Sequence, residues 1–147
     1  MSNESIIIAC ASCGTRNRIP RTKIKQKPVC AKCQASLADI PWFPVNINDS
    51  QFDTAVLGHK GIVMVDCWAP WCGPCKSMGP LLDGLASDYA GRVKVVKINM
   101  DENPETGSKY NVRSIPSLFF FKDGQLKDTL VGAVPQMEME SRLKPLL

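Results

Sequence analysis

The chain has 147 residues, of which 44% are hydrophobic and 22% are charged, and a formal net charge of +4. This composition is typical of globular proteins and excludes the collagen-like and disordered classes. The strongly apolar runs, such as residues 6–9, 62–65 and 118–121, are far shorter than the roughly 20 residues that span a bilayer. The N-terminal residues also lack the pattern of a secretory signal. We therefore expect a cytoplasmic protein without a membrane-spanning segment.

Charge and cysteines divide the chain into two parts. Residues 1–40 have a charge balance of +5, the remainder has one of −1, and four of the seven cysteines lie in the basic part. An odd number of cysteines in a reducing compartment argues against a framework of structural disulfides, so metal binding and redox catalysis are the uses to test. Two prolines and two aromatics at residues 40–44 predict a stiff linker. We therefore expect a module of residues 1–41 and a domain of residues 42–147.

The four cysteines of the first module are paired, as Cys10 with Cys13 and Cys30 with Cys33, with sixteen residues between the pairs. This is the C-x2-C-x15–20-C-x2-C spacing of a tetrahedral zinc site with four thiolate ligands. The main apolar residues of the module are Ile6, Ile7, Ile8, Ile19, Ile24, Val29 and Leu37. Because these side chains make only a small core, we expect one Zn²⁺ to supply much of the folding free energy, about 10 to 16 kcal/mol in small zinc peptides.

Several uses of this zinc site stay open. A closed four-sulfur site has no free coordination position, which favours a structural role. Alternatively, the site senses oxidants by releasing zinc and unfolding. A third use is nucleic-acid binding through the basic residues between Arg16 and Lys32, but residues 1–40 contain no Phe, Tyr or Trp to stack on bases. Two structural disulfides are the least favoured use.

From residue 45 onward the pattern alternates strands with helices. β-Branched and aromatic runs predict strands at residues 62–68, 93–99, 117–122 and 126–131, with a hairpin turn at Asp123-Gly124 before the last one. Helices are predicted at residues 50–56, 75–89, 103–110 and 135–143. This alternation indicates an α/β domain whose mixed sheet is covered on both faces.

The sequence Trp71-Cys72-Gly73-Pro74-Cys75 lies where the strand at residues 62–68 meets the longest helix. A helix N-terminus stabilises an anion, so Cys72 is expected to be the attacking thiolate. Cys75, one turn later, would attack the resulting mixed disulfide. Gly73 keeps the approach open, and Pro74 suits the first helical turn. Asp66 is the one carboxylate in an otherwise apolar strand, so burial should raise its pKa.

Residues 66–76, with the sequence DCWAPWCGPCK, and residues 113–117, with RSIPS, resemble the active-site and cis-proline segments of the thioredoxin family. Lys97, Gly124 and Gly132-Ala133 match as well. The resemblance covers residues 42–147, and the zinc module is similar to that of the thioredoxin 2 type. It implies a thioredoxin fold, with a central mixed β-sheet flanked by helices, preceded by a small zinc-ribbon-like module. It also implies protein-disulfide reduction.

The resemblance further assigns roles to single residues. Asp66 is implied as the proton shuttle for Cys75, with Lys97 nearby to modulate it, although a merely structural buried carboxylate is the alternative. The implied substrate-docking surface consists of Trp71, Ile115, Pro116, Gly132 and Ala133, with a cis bond between Ile115 and Pro116. Cys67 stands where the family usually has an aromatic residue. We expect it to be a small buried hydrophobe rather than a third redox group.

Gly73-Pro74 resembles the reducing members of the family, whereas oxidases and isomerases usually have a His there. The expected partners are oxidised proteins and thioredoxin reductase, with electrons from NADPH, since nothing in the chain resembles a nucleotide fingerprint and no bound nucleotide or flavin is expected. We expect a monomer that takes part in electron transport and in the response to oxidative stress. The alternative from another functional class is a zinc-gated, redox-sensitive chaperone or binding module.

Overall fold

The computed structural model describes residues 5–23, 26–38 and 40–147. The predicted core residue Ile24 lies outside these ranges.

The first module is built on a short antiparallel hairpin. Strand β1 (Ser5–Ala9) pairs with β2 (Arg16–Pro20), and a 3-10 turn follows at Arg21–Lys23. Successive side chains of a strand point to opposite faces, so Ile8 and Ile19 are buried while Arg18 is exposed. The two cysteine pairs lie in turns, the first directly after β1.

The second module contains a five-stranded mixed sheet in the order β3-β5-β4-β6-β7. Its strands are β3 (Val45–Ile47), β4 (Ile62–Trp68), β5 (Val93–Asn99), β6 (Ser117–Lys122) and β7 (Gln125–Val131). The strands β3, β5 and β4 are parallel to one another, and β6 and β7 are antiparallel to their neighbours. The four predicted strands are thus confirmed. The edge strand β3 was not predicted, because three residues are too short for a periodic signal.

Three α-helices accompany the sheet: α1 (Gly73–Asp88), α2 (Pro104–Lys109) and α3 (Gln136–Leu143). The helical segment predicted at residues 50–56 consists of a 3-10 turn at Asp49–Gln51 and a π-helical turn at Asp53–Leu57 and contains no α-helix. The N–H of Gly58 donates to the carbonyl oxygen of Asp53 at 2.7 Å, a spacing of five residues that widens the last turn. Among the described residues, no helix is long and apolar enough to cross a bilayer.

Both faces of the sheet are covered, as the alternation of elements predicts. One face packs against α1 and α3, through residues such as Met64, Leu82 and Phe120. The other face packs beneath the irregular turns at residues 49–57 and the segment after α2, through Phe52 and Phe121. Because β4 lies between two covered faces, its first six residues are all buried, which explains its continuous apolar sequence.

The first module has a small core that it shares with the second. Ile6, Ile8 and Leu37 pack around Ala90, which lies just after α1. The N–H of Ala9 donates to the carbonyl oxygen of Ala90 at 2.9 Å. The first module therefore lies against the C-terminal end of α1, while Cys72 stands at the N-terminal end. Sixteen residues at about 1.5 Å each place roughly 24 Å of helix between the two ends.

Candidate active site and metal site

The turn between β4 and α1 places Cys72 at the N-cap of the helix. Its backbone is extended, with φ −86° and ψ 109°, and its Sγ accepts a hydrogen bond from the N–H of Cys75 at 3.2 Å. Gly73 and Pro74 are the first two helical residues, where a proline costs nothing because those N–H groups have no partner within the helix. The Cys72 sulfur thus receives a helix N-terminal donor, the environment that stabilises a thiolate.

Cys72 and Cys75 form a disulfide, with their Cα atoms 5.3 Å apart. Both residues are almost fully buried, at 3% and 5% exposure. The structure therefore represents the oxidised form of the pair. The other five cysteines, Cys10, Cys13, Cys30, Cys33 and Cys67, are free.

Asp66 lies on the face of β4 that α1 covers, in register with Lys97 on β5. It is 1% exposed, and neither carboxylate oxygen has a hydrogen-bond partner among the described residues. Burial raises its pKa to about 6, although the positive charge of Lys97 opposes the shift. The expected burial and the raised pKa are confirmed. Asp66 can therefore both bind and release a proton close to neutral pH.

Lys97 interacts with an aromatic ring as well as with the field of Asp66. Its Nζ lies 5.2 Å from the ring centroid of Trp68, a cation–π distance. The indole nitrogen of Trp68 is buried and, like the oxygens of Asp66, finds no partner within the described part of the chain. Buried polar atoms without protein partners are commonly satisfied by ordered water. Trp68 was not among the predicted site residues, because an aromatic at the end of a buried strand looks like a core residue.

The sheet register brings the predicted docking residues to the edge where β4 ends. Cys67 pairs with Ser117, and Ser117 pairs with Val131, so the loop before β6 and the loop after β7 both lie beside the end of β4. The Ile115-Pro116 bond is cis. The N–H of Gly132 donates to the carbonyl oxygen of Pro116 at 2.8 Å, which joins the two loops. Trp71 and Ala133 are exposed.

A hydrogen bond that was not predicted from the sequence holds Trp71 in place. Its indole N–H donates to Oδ1 of Asp101 at 3.2 Å, and the N–H of Asp101 donates to Oδ1 of Asn99 at 2.9 Å. Buried Asn103 donates in turn to the carbonyl oxygen of Asn99 at 2.8 Å. The signal was the polar run directly after β5, but a polar run after a strand is also typical of any loop.

The four paired cysteines of the first module converge on one point. All four Sγ atoms lie within 4.8 Å of one another, with Cys10 and Cys13 each 3.6 Å from a sulfur of the second pair. Backbone N–H groups of Ser12 and Lys32 donate to Cys10 and Cys30 at 3.4 Å. Four soft sulfur ligands without an open position form a donor set that fits zinc.

The pKa values of these thiols show why a cation suits the cluster. Backbone hydrogen bonds, first from Cys33 and then from Lys32, lower the pKa of Cys30 to about 6. The pKa of Cys33 is raised to about 11, because the neighbouring thiols and burial outweigh a lowering hydrogen bond from Ala35. Crowded thiolates disfavour one another. A divalent cation removes that conflict, since it is the largest local charge and holds all four thiolates at once.

Cys67 lies on the opposite side of β4 from Asp66 and packs with Val65 and Ile98 in the second core. It is fully buried, and burial together with the charge of Asp66 raises its pKa to about 12. A thiol in this environment is a small hydrophobe rather than a nucleophile.

Comparison with known families divides the chain in the same way as the structure. Residues 43–145 match the family model described as "Thioredoxin". Residues 9–35 match a zinc-ribbon model described as "Thioredoxin 2, N-terminal". The second match covers all four cysteines of the first module.

Curated relatives agree with the first match. The chain is 48% identical over 98 residues to the chloroplastic Thioredoxin M-type of Pisum sativum, which covers 67% of this chain and 57% of the pea protein. It is 50% identical to the Thioredoxin of Synechocystis sp., over 69% of this chain and 94% of that protein. The Thioredoxin of Pseudomonas aeruginosa is also 50% identical, over 67% of this chain and 92% of that protein. With the Cys72–Cys75 disulfide, these relatives support a thiol–disulfide oxidoreductase, and the chain belongs to the thioredoxin family.

Proposed function

We propose that this protein reduces disulfide bonds of other proteins by dithiol–disulfide exchange. The observation that carries the proposal is the Cys72–Cys75 disulfide at the N-terminus of α1, with the N–H of Cys75 donating to the Cys72 sulfur. Two cysteines that close a disulfide at a helix N-terminus form a pair that accepts and donates two electrons.

In the first step, the Cys72 thiolate of the reduced protein attacks one sulfur of the client disulfide. The client S–S bond breaks, a mixed disulfide forms with Cys72, and the other client sulfur leaves as a thiolate that takes up a proton from solvent. The N-terminal end of α1 stabilises the Cys72 thiolate before attack. In the second step Cys72 is the sulfur that is attacked, and the client sulfur is the leaving group.

In the second step, Cys75 loses its proton and attacks the Cys72 sulfur. The mixed disulfide breaks, the client leaves with both sulfurs reduced, and the Cys72–Cys75 disulfide is restored. Asp66 is the proposed acceptor of the Cys75 proton, because it is buried on the face of β4 beneath α1 with a pKa raised to about 6. Lys97 modulates this carboxylate through its positive charge, which lowers the pKa.

The client segment docks on Trp71, Ile115, Pro116, Gly132 and Ala133. The register of β4, β6 and β7 supports this assignment, since it brings both loops to the edge of the sheet where β4 ends. The exposed indole of Trp71, at 70% exposure, supplies apolar contact area. The proposed segment binds in an extended conformation, with its cysteine directed at Cys72.

We further propose that Cys10, Cys13, Cys30 and Cys33 hold one Zn²⁺ ion, within a module of residues 1–41 that precedes the thioredoxin domain of residues 42–147. The ion supplies structure rather than redox chemistry, because four thiolates leave it no open position. Electrons come from NADPH through thioredoxin reductase, and the chain itself holds no flavin or nucleotide.

The proposed location is the cytoplasm, and the proposed state is a monomer. Five cysteines are free in the structure, and a site that needs four thiolates is favoured where glutathione and thioredoxin systems keep thiols reduced. Under oxidative stress, client disulfides accumulate and the demand for this exchange rises. We do not assign a nucleic-acid partner.

A Cys75→Ser variant tests the mechanism directly. Without Cys75 the second step is blocked, so mixed disulfides between Cys72 and client proteins should accumulate and be released by dithiothreitol. Mass mapping should find the client at Cys72. A Cys67→Ser, Cys75→Ser double variant is the matched control and should trap the same clients. Failure of both variants to trap any disulfide-bonded protein contradicts the proposal.

A second function, redox-gated binding of unfolded proteins, has one observation in its favour. The core shared by Ile6, Ile8, Leu37 and Ala90 is held next to the four thiols, so zinc loss would expose apolar surface. This function predicts that oxidised, zinc-free protein suppresses client aggregation even when Cys72 and Cys75 are both replaced by serine. If the oxidised, zinc-free variant with Cys72→Ser and Cys75→Ser does not suppress aggregation, this second function is wrong.

A further inference from the structure

A cavity of about 190 Å³ lies where the two modules meet. The first module contributes Ala11, which follows the ligand Cys10, and the linker contributes Ile40 and Pro41. The second module contributes the beginnings of β4 and β5, including Ile62 and Val93. The cavity is therefore at the end of the sheet opposite Cys72, beside the first module.

The apolar walls of this cavity carry a basic rim. The titratable side chains that line it are His59, Lys60, Arg92 and Lys94, and no acidic side chain of the described residues lines it. The charge of Asp123 acts on His59, and Oδ1 of Asp123 accepts a hydrogen bond from the N–H of Gly61 at 2.8 Å. The two exposed cations of this rim, Lys60 and Arg92, favour an anion at the mouth of the cavity.

The four basic side chains differ in the contacts that they already make within the protein. Lys94 donates from Nζ to the carbonyl oxygen of Ala55 at 2.9 Å. The guanidinium of Arg92 lies 4.9 Å from the ring centroid of Tyr89, a cation–π distance. Lys60 and Arg92 are both exposed, so they can approach an anion at the mouth of the cavity. His59 is half-buried, and burial followed by the charge of Lys94 lowers its pKa.

We propose that this cavity binds a small organic carboxylate between the two modules. The apolar body would pack on Ala11, Ile40 and Pro41, and the carboxylate would face Arg92 and Lys60. A planar guanidinium matches a carboxylate through two parallel hydrogen bonds. The cavity, of about 190 Å³, has room for a single small ring. The cavity is smaller than the roughly 300–1,000 Å³ of sites for drug-sized ligands, so it suits only a small ligand.

The apolar walls also decide between classes of anion. Inorganic phosphate needs polar partners around all of its oxygens, and the side facing Ile40, Ile62 and Val93 offers none from their side chains. An organic carboxylate presents its charge on one side only, so its polar and apolar halves match the rim and the walls. The site is independent of the redox pair and of the proposed reductase function.

The single histidine of the chain provides the readout, because His59 lines the cavity and gives the only imidazole ring signals in an NMR spectrum. We would titrate the full-length, zinc-loaded, oxidised protein with benzoate. The expected result is a saturable shift of the His59 ring signals. Benzamide, which has the same shape without the charge, should bind at least tenfold more weakly, and inorganic phosphate should give no saturable shift.

Variants locate the site. Lys60→Met and Arg92→Met together should weaken benzoate binding at least tenfold, whereas Lys127→Met, an exposed lysine on β7, should leave it unchanged. Ala11→Leu, which fills the cavity without changing its charge, should also abolish the saturable shift at full zinc content. A linear response to benzoate, equal binding of benzamide or phosphate, or equal weakening by Lys127→Met would overturn the proposal.

Discussion

The molecule uses the C-x-x-C spacing three times, twice to build a metal site and once to build a redox pair. Cys10 and Cys13 lie in the turn that joins the two strands of a hairpin, and the sulfurs of the second pair approach theirs to 3.6 Å. Cys72 and Cys75 begin a helix of sixteen residues and form a disulfide with each other. The spacing brings two sulfurs together in each case. The surroundings decide whether the sulfurs bind a metal or exchange electrons.

The two sites also differ in the charges that act on their sulfur atoms. In the metal site, crowding of thiols raises the pKa of Cys33 to about 11, and a dication is needed to hold all four as thiolates. In the redox site, a helix N-terminus acts on one sulfur, and a buried carboxylate with a pKa raised to about 6 stands beneath the helix. The metal site therefore needs a permanently bound cation, whereas the redox site needs a thiolate and a carboxylate that gain and lose protons during the reaction.

Zinc removal should give the largest effect and should be confined to the first module. Chelation costs about 10 to 16 kcal/mol of apparent binding free energy in small zinc peptides, which exceeds what the small core of residues such as Ile8 and Leu37 can replace. Backbone amides of residues 5–38 should lose their dispersed NMR signals, while those of β4 and β5 keep theirs. Retention of the β1 and β2 signals in metal-free protein would contradict this account.

Cys72→Ser should reduce turnover at least about a thousandfold, because the attacking sulfur is removed and the neighbouring cysteine cannot take its place. Cys13→Ser is the matched change in the other site, and it should alter turnover by less than about twofold, since three sulfur ligands remain and the redox pair is untouched. The measurement is reduction of a disulfide-bonded protein by dithiothreitol. A comparable loss in both variants would mean that the two sites act together.

Asp66→Asn should stabilise the protein at pH 8 and have almost no effect on stability at about pH 3, below the ordinary pKa of 3.8. Burial raises the pKa of Asp66 from 3.8 to about 6, so the folded state is penalised by ionisation as the pH rises through 6, and the stabilising protonation is complete only below 3.8. The shift corresponds to roughly 3 kcal/mol at pH 8. Urea unfolding at both pH values measures it. Asp83→Asn, at an exposed site on α1, is the control and should show no such dependence.

Gly91→Ala should lower the unfolding free energy by more than the backbone strain of about 1 to 3 kcal/mol that an alanine at positive φ costs by itself. Gly91 has φ +86°, and a Cβ there would overlap the carbonyl oxygen of Ala9, so the first module would have to move. Gly61→Ala is the matched control, with φ +105° and only the His59 ring within 4 Å. Equal losses in the two variants would show that backbone strain, and not docking of the first module, is what the alanine disturbs.

The sequence predicted best what local chemistry dictates. β4 has the predicted bounds, Ile62–Trp68, because burial on both faces demands an unbroken apolar run. Cys72 lies at the predicted helix terminus because Gly73 and Pro74 suit the first turn. The four cysteines of the first module converge because their spacing favours one arrangement around a metal.

What the sequence did not predict depends on contacts between distant segments. The hydrogen bond from Trp71 to Asp101 spans thirty residues, and nothing local distinguishes Asp101 from other loop acids. Docking of the first module rests on a backbone hydrogen bond between Ala9 and Ala90, and backbone atoms carry no sequence signal. The turns at residues 49–57 are tied to α2 through Asp49, whose carboxylate accepts hydrogen bonds from the backbone N–H groups of Glu105 and Thr106.

The most direct test of the division of labour between the two sites is turnover with and without zinc. NADPH consumption would be followed with thioredoxin reductase and a disulfide-bonded protein, comparing zinc-loaded protein, chelator-stripped protein and the Cys72→Ser variant. We predict equal rates for the first two within about twofold, because the redox pair stands at the other end of α1, roughly 24 Å from the first module, and no turnover by the variant. A rate that collapses on zinc removal while β4 and α1 stay folded would contradict a separate structural role for the metal site.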